Sequence, residues 1–249
     1  MIRANCREKF TADDFQFIAE TLGRDSGNKV ALTDLLSDME TRDLVLDNEQ
    51  LFERVVDRSS LTRISPYLYF YILTRRVFME NQLDDRNMAD YVASMLAEFC
   101  SNRRAHTISP AHEKEYHYLT DMMVDFVESS SSYEAFLLRS HLGNYALFMT
   151  GIFPDYLYRK STYGRKAPGI DYYEQMGSRS YEWASQHRMA IKYRLVEILA
   201  NLAQYFRHVR IALNKLTDNY IHLDEKPERL DKMLRQIFFG NKGTDRFEA

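Results

Sequence analysis

The chain has 249 residues and only two cysteines, Cys6 and Cys100, set far apart. That excludes a disulfide framework and a cysteine-built zinc site, and it fits a reducing compartment. Glycine and proline are also scarce, at 9 and 5 residues, too few for a turn-rich all-β domain. No apolar run reaches the roughly 18 residues that a membrane-crossing helix requires. The opening Met1-Ile-Arg-Ala-Asn-Cys-Arg-Glu-Lys holds charges where a secretory signal needs an apolar stretch. These absences give the expectation of a cytoplasmic protein with no membrane partner. Phosphate loop, dinucleotide fingerprint, nucleophile elbow, His-Glu-x-x-His, paired Glu-x-x-His and Cys-x-x-Cys-His are all missing as well. No cofactor, metal site or catalytic residue is expected on that ground.

What is present is ordinary for a folded protein: 45% hydrophobic, 28% charged and 13% aromatic residues, with 17 tyrosines. Charge is unevenly divided. Residues 1–125 carry 15 basic and 22 acidic side chains, a balance of −7, and residues 126–249 carry 18 and 14, a balance of +4. Two halves so charged attract, within one fold or across an oligomer.

Helix signals run along the whole chain. Thr11 can cap the amide of Asp14, with Phe10 and Phe15 at the staple positions and Gly23 as the stop. Thr33, Thr41 and Asn48 each precede short acidic runs, which predicts short helices in series over 33–58. Ser65-Pro66 opens a helix that is apolar all round and therefore central. Met88, Tyr91, Met95 and Phe99 make one stripe, and Tyr116, Leu119, Met123 and Phe126 another, over 112–128. Ser129 to Ser132 is a polar break before an apolar helix over 133–153. Residues 155–169 read as an irregular loop, and Asp171 as the cap of a helix reaching about His187. Leu195, Leu199, Leu202, Phe206, Val209, Leu213, Leu216 and Tyr220 are spaced 4, 3, 4, 3, 4, 3, 4, a heptad seam. Read as one helix over 190–221 it is on the order of 48 Å long. Pro227 starts a last helix. The expected fold is all-α, a non-repeating multi-helix bundle around this long helix. It reads as one domain over 1–249, with a possible small helical subdomain over 1–60.

Three sets of residues could carry chemistry. Asp84-Asp85-Arg-Asn-Met-Ala-Asp90 resembles the aspartate-rich motif of the isoprenoid synthases, all-helical enzymes that hold magnesium-bound pyrophosphate between carboxylates. The second acidic motif of that family is missing here, and Asp at a helix start also caps it. Glu113, His117 and Asp121 share a helix face by spacing, opposite the apolar stripe, and read as a solvated surface. Ser140-His141-Leu-Gly-Asn144-Tyr145 places polar groups within an apolar helix, where His141 and Tyr145 lie one turn apart. His141 is either a satisfied core histidine or a ligand contact. The segment after it interleaves Arg159, Lys160, Arg165 and Lys166 with Tyr156, Tyr158, Tyr163, Tyr172 and Tyr173. Such a set reads first as a solvated loop packed by its tyrosines, and otherwise suits a protein contact or an anionic ligand. Gly177, Ser180 and Ala184 form a small-residue stripe that predicts a close helix crossing.

The reading that follows is a non-enzymatic protein-interaction or structural module, self-associating through the seam and of bacterial appearance. The alternative is a small-molecule-binding protein or enzyme with a pocket at His141, Asn144 and Tyr145. In that version Arg159, Arg165, Lys166 and Tyr172 supply charge and stacking from the following loop, and a small anionic ligand is possible. Binding of nucleic acid is disfavoured by the anionic net charge.

Overall fold

A computed structural model of the chain describes residues 1–23, 38–57, 63–100, 102–110, 114–116, 119–128, 131–163 and 167–221. The described residues hold helices and turns and no strand, as an all-α bundle requires. Thr33, Glu113, His117, Arg165, Lys166 and the helix expected after Pro227 lie outside the described residues.

The first helix, α1 (Ala12–Leu22), starts as its sequence dictates. The Thr11 side chain accepts from the amide of Asp14, the Asp14 carboxylate answers the Thr11 amide, and Phe10 and Phe15 meet edge to face at 6.3 Å. Gly23 follows at φ −84°, so its left-handed freedom goes unused. The next helix, α2 (Met39–Leu46), is capped by Asp38, whose carboxylate takes the Thr41 amide. Thr41 is therefore inside the helix and is not its cap. Asn48 caps α3 (Glu49–Val56) and Ser65 caps α4 (Pro66–Glu80).

Helix α4 is buried from Leu68 through Arg75. It packs on α5 (Arg86–Phe99), which buries its whole expected stripe. A four-residue turn, α6 (Asn102–Ala105), and α7 (Leu119–Glu128) follow. The expected helix over 112–128 thus begins late. Tyr116 lies before it in non-helical backbone, exchanging main-chain contact with His106, whose carbonyl accepts from the Tyr116 amide at 2.7 Å.

Helix α8 (Ser132–Ile152), capped by Ser131, is the hub. It touches α7, then α9 (Pro154–Tyr163), α10 (Ile170–Ser185) and α13 (Phe206–Leu216). Two expectations are corrected here. The first half of the segment read as a loop is helical, because Pro154 fits a first helical position and Asp155 favours the first turn. Asp171 lies in the first turn of α10, and Gly169 stands at its cap position without a side-chain bond.

The expected long helix is also corrected. It is broken into α11 (Arg188–Lys192), α12 (Val196–Gln204) and α13, followed by a π-helical turn, Thr217–Ile221. The first break is a left-handed cap: Arg194 sits at φ 55° and the Leu195 amide reaches back to the Ala190 carbonyl. The second falls at Tyr205, where the Ser178 hydroxyl of α10 donates to the Ala203 carbonyl at 2.7 Å. A side chain that bonds into the helix ladder is a known cause of kinks.

The seam survives the breaks but faces inward. Leu195, Leu199, Leu202, Phe206, Val209, Leu213 and Leu216 are all buried, against α10 and α5 on one stretch and α8 and α4 on the other. The heptad seam is covered by its own chain, so it offers no surface to a second copy. The small-residue stripe does mark a close crossing. A Cβ on Gly177 would lie 2.5 Å from the Phe206 ring and 2.8 Å from the Ala146 Cβ.

The N-terminal segment is tied to the bundle by a charged lattice. Buried Asp90 on α5 accepts from the amides of Cys6 and Arg7 and from Arg7 Nε at 3.0 Å. Arg7 Nη1 also holds Asp43 of α2 at 2.6 Å. Arg86 and Arg75 share Asp47, and Arg75 reaches Asp84 at 2.7 Å. Burial pushes the Asp90 carboxyl above the ordinary range despite these donors. A lattice of this kind fixes which elements meet more than it adds net stability.

Candidate functional site

The aspartate-rich motif resolves into structural roles. Asp85 caps α5 through the Met88 amide and accepts from Asn201 of α12. Asp84 pairs with Arg75, and Asp90 holds the N-terminal segment. Each carboxylate is thus engaged by protein groups. Among the described residues no three His, Cys, Asp or Glu side chains converge as a metal site would need.

The polar stretch of α8 divides into two environments. Asn144 is consumed structurally: its Oδ1 accepts from Tyr91 of α5 and Tyr181 of α10, each at 2.9 Å. All three residues are buried. The bond lattice ties three helices at one atom, and burial raises the pKa of both phenols well above the ordinary value. The Tyr181 ring fills the space beside Gly143, where a Cβ would come within 2.6 Å of it. Gly143 therefore admits a ring, and Gly151 likewise admits the Leu213 side chain at 2.9 Å.

His141 is the opposite case. It is 2% exposed, and neither ring nitrogen has a hydrogen-bond partner. The Ala105 backbone stands close enough to favour a proton on the ring but falls outside hydrogen-bond geometry. The ring meets the edge of Phe99 at 5.6 Å, and Phe148 packs on Phe99 at 5.2 Å. Burial first, and then the nearby Arg104 charge, push its pKa down to about 3. The imidazole is therefore neutral at physiological pH, with one donor and one acceptor nitrogen. Leaving such a group unpaired costs on the order of 1–3 kcal/mol. Tyr145 turns its ring to His106, at 5.9 Å between centroids.

Arg165 and Lys166 of the expected pocket lie outside the described residues. Phe153, at the corner, lies twelve positions after His141, about 18 Å along α8 at 1.5 Å per residue. Arg159 sits beyond that corner on α9. Tyr172, on α10, donates its hydroxyl to the Met123 sulfur at 3.7 Å. Phe99, Arg104 and Ala105 stand beside His141. Arg104 is itself engaged, with Nε on Glu98 at 2.9 Å and Nη1 on the Thr107 carbonyl at 2.5 Å. Sequence reasoning missed these neighbours because they follow from the packing of α5 and α6 over α8, which no local spacing encodes.

Helix α9 is a different kind of surface. Leu157 is its one buried residue, while Tyr158 is 63% and Tyr163 85% exposed. Arg159 and Lys160 lie between them, and Lys160 sits 5.5 Å from the Tyr156 ring. Such a helix holds its place by little of its own burial and displays aromatic and cationic groups. Comparison with known proteins finds no matching family model, no similar curated protein and no similar solved structure. The fold and surface define an all-α helical protein.

Proposed function

We propose that the protein is a non-enzymatic helical interaction module that associates with further copies of itself through α9. The observation that carries this reading is the pair Tyr158 and Tyr163, 63% and 85% exposed on a helix that also bears Arg159 and Lys160. Tyrosine and arginine are enriched at interface hot spots, because they add large contact area for few rotatable bonds. Charge supplies the complement. The acidic half carries a balance of −7, and the ion pairs of Arg7, Arg63, Arg75, Arg76 and Arg86 are all made inside that half. The other half carries a balance of +4, so unlike surfaces of two copies attract. A contact between unlike patches is head-to-tail, and electrostatic complementarity sets its register. The buried thiols of Cys6 and Cys100, neither in a disulfide, support a reducing, cytoplasmic setting.

Light scattering on a concentration series tests the reading. The expected result is a mass above the 29.5 kDa of one chain that falls towards it at high salt and in Tyr158→Ser/Tyr163→Ser. A mass of one chain at every concentration and salt overturns it.

A further inference from the structure

We infer that the short helix α11, with Arg3 and Arg194 beside it, is a docking surface for an anionic membrane. This goes beyond self-association through α9 and does not depend on it. His187, which caps α11, meets Ser132 at the start of α8 at 2.9 Å, whereas α9 follows the far end of α8. By helical spacing Arg188, Ile191 and Lys192 share one face of α11. All three are exposed, Ile191 by 70%. Arg194, in the left-handed turn that ends the helix, is exposed as well. The base of the surface is aromatic. Phe136 stacks on His187 at 5.3 Å and on Tyr193 at 6.4 Å, and the exposed Arg3 lies 5.0 Å over the Tyr193 ring. Among the described residues Arg3, Arg188, Lys192 and Arg194 make no ion pair, and the exposed Glu182 and Glu197 do not answer them. Burial first, and then the Arg139 and Arg188 charges, hold the His187 pKa below its ordinary value, as a locally positive surface should.

Four cations without carboxylate partners call for an anion, and Ile191 among them selects which. A bare aliphatic side chain has nothing to meet on a phosphodiester backbone. At a bilayer it enters the boundary of headgroups and acyl chains while the cations meet anionic headgroups. Trp183, four positions before His187, is 41% exposed, and Tyr133, hydrogen-bonded to Tyr193, is 44% exposed. Both residue types favour that boundary. The expectation of no membrane partner rests on the lack of a spanning run. No described helix is long and apolar enough to cross a membrane, and surface docking needs none.

Trp183 is the single tryptophan of the chain and reports on the contact. The full chain is titrated with vesicles of one part phosphatidylserine to two parts phosphatidylcholine, or of phosphatidylcholine alone. Tryptophan fluorescence and co-sedimentation read the result. The anionic vesicles should bind the chain, shift Trp183 emission to the blue and release the protein in high salt. Phosphatidylcholine alone should bind at least about tenfold more weakly. Arg188→Gln/Lys192→Gln should weaken binding to the anionic vesicles by about tenfold or more, and Ile191→Ser should weaken it several-fold at unchanged charge. Arg159→Gln/Lys160→Gln, on α9, should leave it unchanged, which separates this surface from the self-associating one. No binding to anionic vesicles overturns the inference, as do equal binding to both vesicles and equal loss in the α9 variant. Binding that Ile191→Ser leaves unchanged overturns it too, because that result fits a soluble polyanion and not a bilayer. The substituted side chains are exposed, and circular dichroism confirms that each variant keeps its helices.

Discussion

Replacing Asn144 by leucine removes one acceptor and strands two donors. Tyr91 and Tyr181 are both 0% exposed and both give their hydroxyls to Asn144 Oδ1. Each stranded hydroxyl costs roughly 1–3 kcal/mol in a dry interior, so Asn144→Leu should lose about 2–6 kcal/mol. That is a large share of the roughly 5–15 kcal/mol that holds a typical domain together. Adding Tyr91→Phe and Tyr181→Phe to the same chain removes the stranded groups as well. The triple variant should then regain most of the loss and fall within about 1 kcal/mol of the native chain, since matched apolar replacement is close to neutral. Urea unfolding followed by circular dichroism measures all of these variants. A loss below about 1 kcal/mol for the single change refutes the reasoning. A triple variant no more stable than the single one refutes it equally, because the cost would then lie in shape and not in hydrogen bonding.

Three further outcomes follow from the packing. Gly177→Ala should destabilise by about 1–3 kcal/mol and lower Tm by several degrees, although alanine favours helix, because its Cβ meets Phe206 and the Ala146 Cβ; a raised Tm contradicts that crossing. Arg7→Met leaves Asp90 buried with its charge uncompensated and should cost about 3–5 kcal/mol in denaturant, while Arg76→Met, at a more exposed site, should cost under about 1 kcal/mol. His141 holds a folded pKa of about 3 against an ordinary 6.5, so below pH 6.5 the unfolded chain binds a proton that the folded chain refuses. Stability should therefore fall as pH drops, by about 2 kcal/mol from this group between pH 7 and 5. His141→Phe should flatten that part of the profile, and equal pH slopes for the two chains would contradict the buried neutral ring.

Much of the helical skeleton was legible because caps and stripes are local. Thr11, Asn48, Ser65 and Ser131 act through neighbours two or three residues away, and the stripe from Met88 to Phe99 needs only helical spacing. Errors arose where a distant group intervenes. The seam residues keep their inward face, but Ser178 takes the Ala203 carbonyl and Arg194 adopts a left-handed turn, so spacing alone overstates helix length. The segment over 155–169 reads as an irregular loop, yet Pro154 sits where a helix accepts proline. The candidate site was legible only in part. His141 stands out as a polar residue in an apolar helix, but whether it is satisfied depends on α5 and α6. The same spacing that flagged His141 also flagged Asn144, whose partners lie 53 and 37 residues away. Arg7, Arg75 and Asp90 carry no sequence sign of their shared lattice beyond Arg75 and Asp90 falling on apolar helices.

Hydrogen exchange read by mass spectrometry, on dilute and concentrated samples of the full chain, separates the two surfaces that could join copies. Concentration should slow exchange in α9, Pro154–Tyr163, and leave α12 and α13 unchanged, since their seam is already covered from within. Protection gained across α12 and α13, or none gained in α9 while the mass rises, would contradict the account.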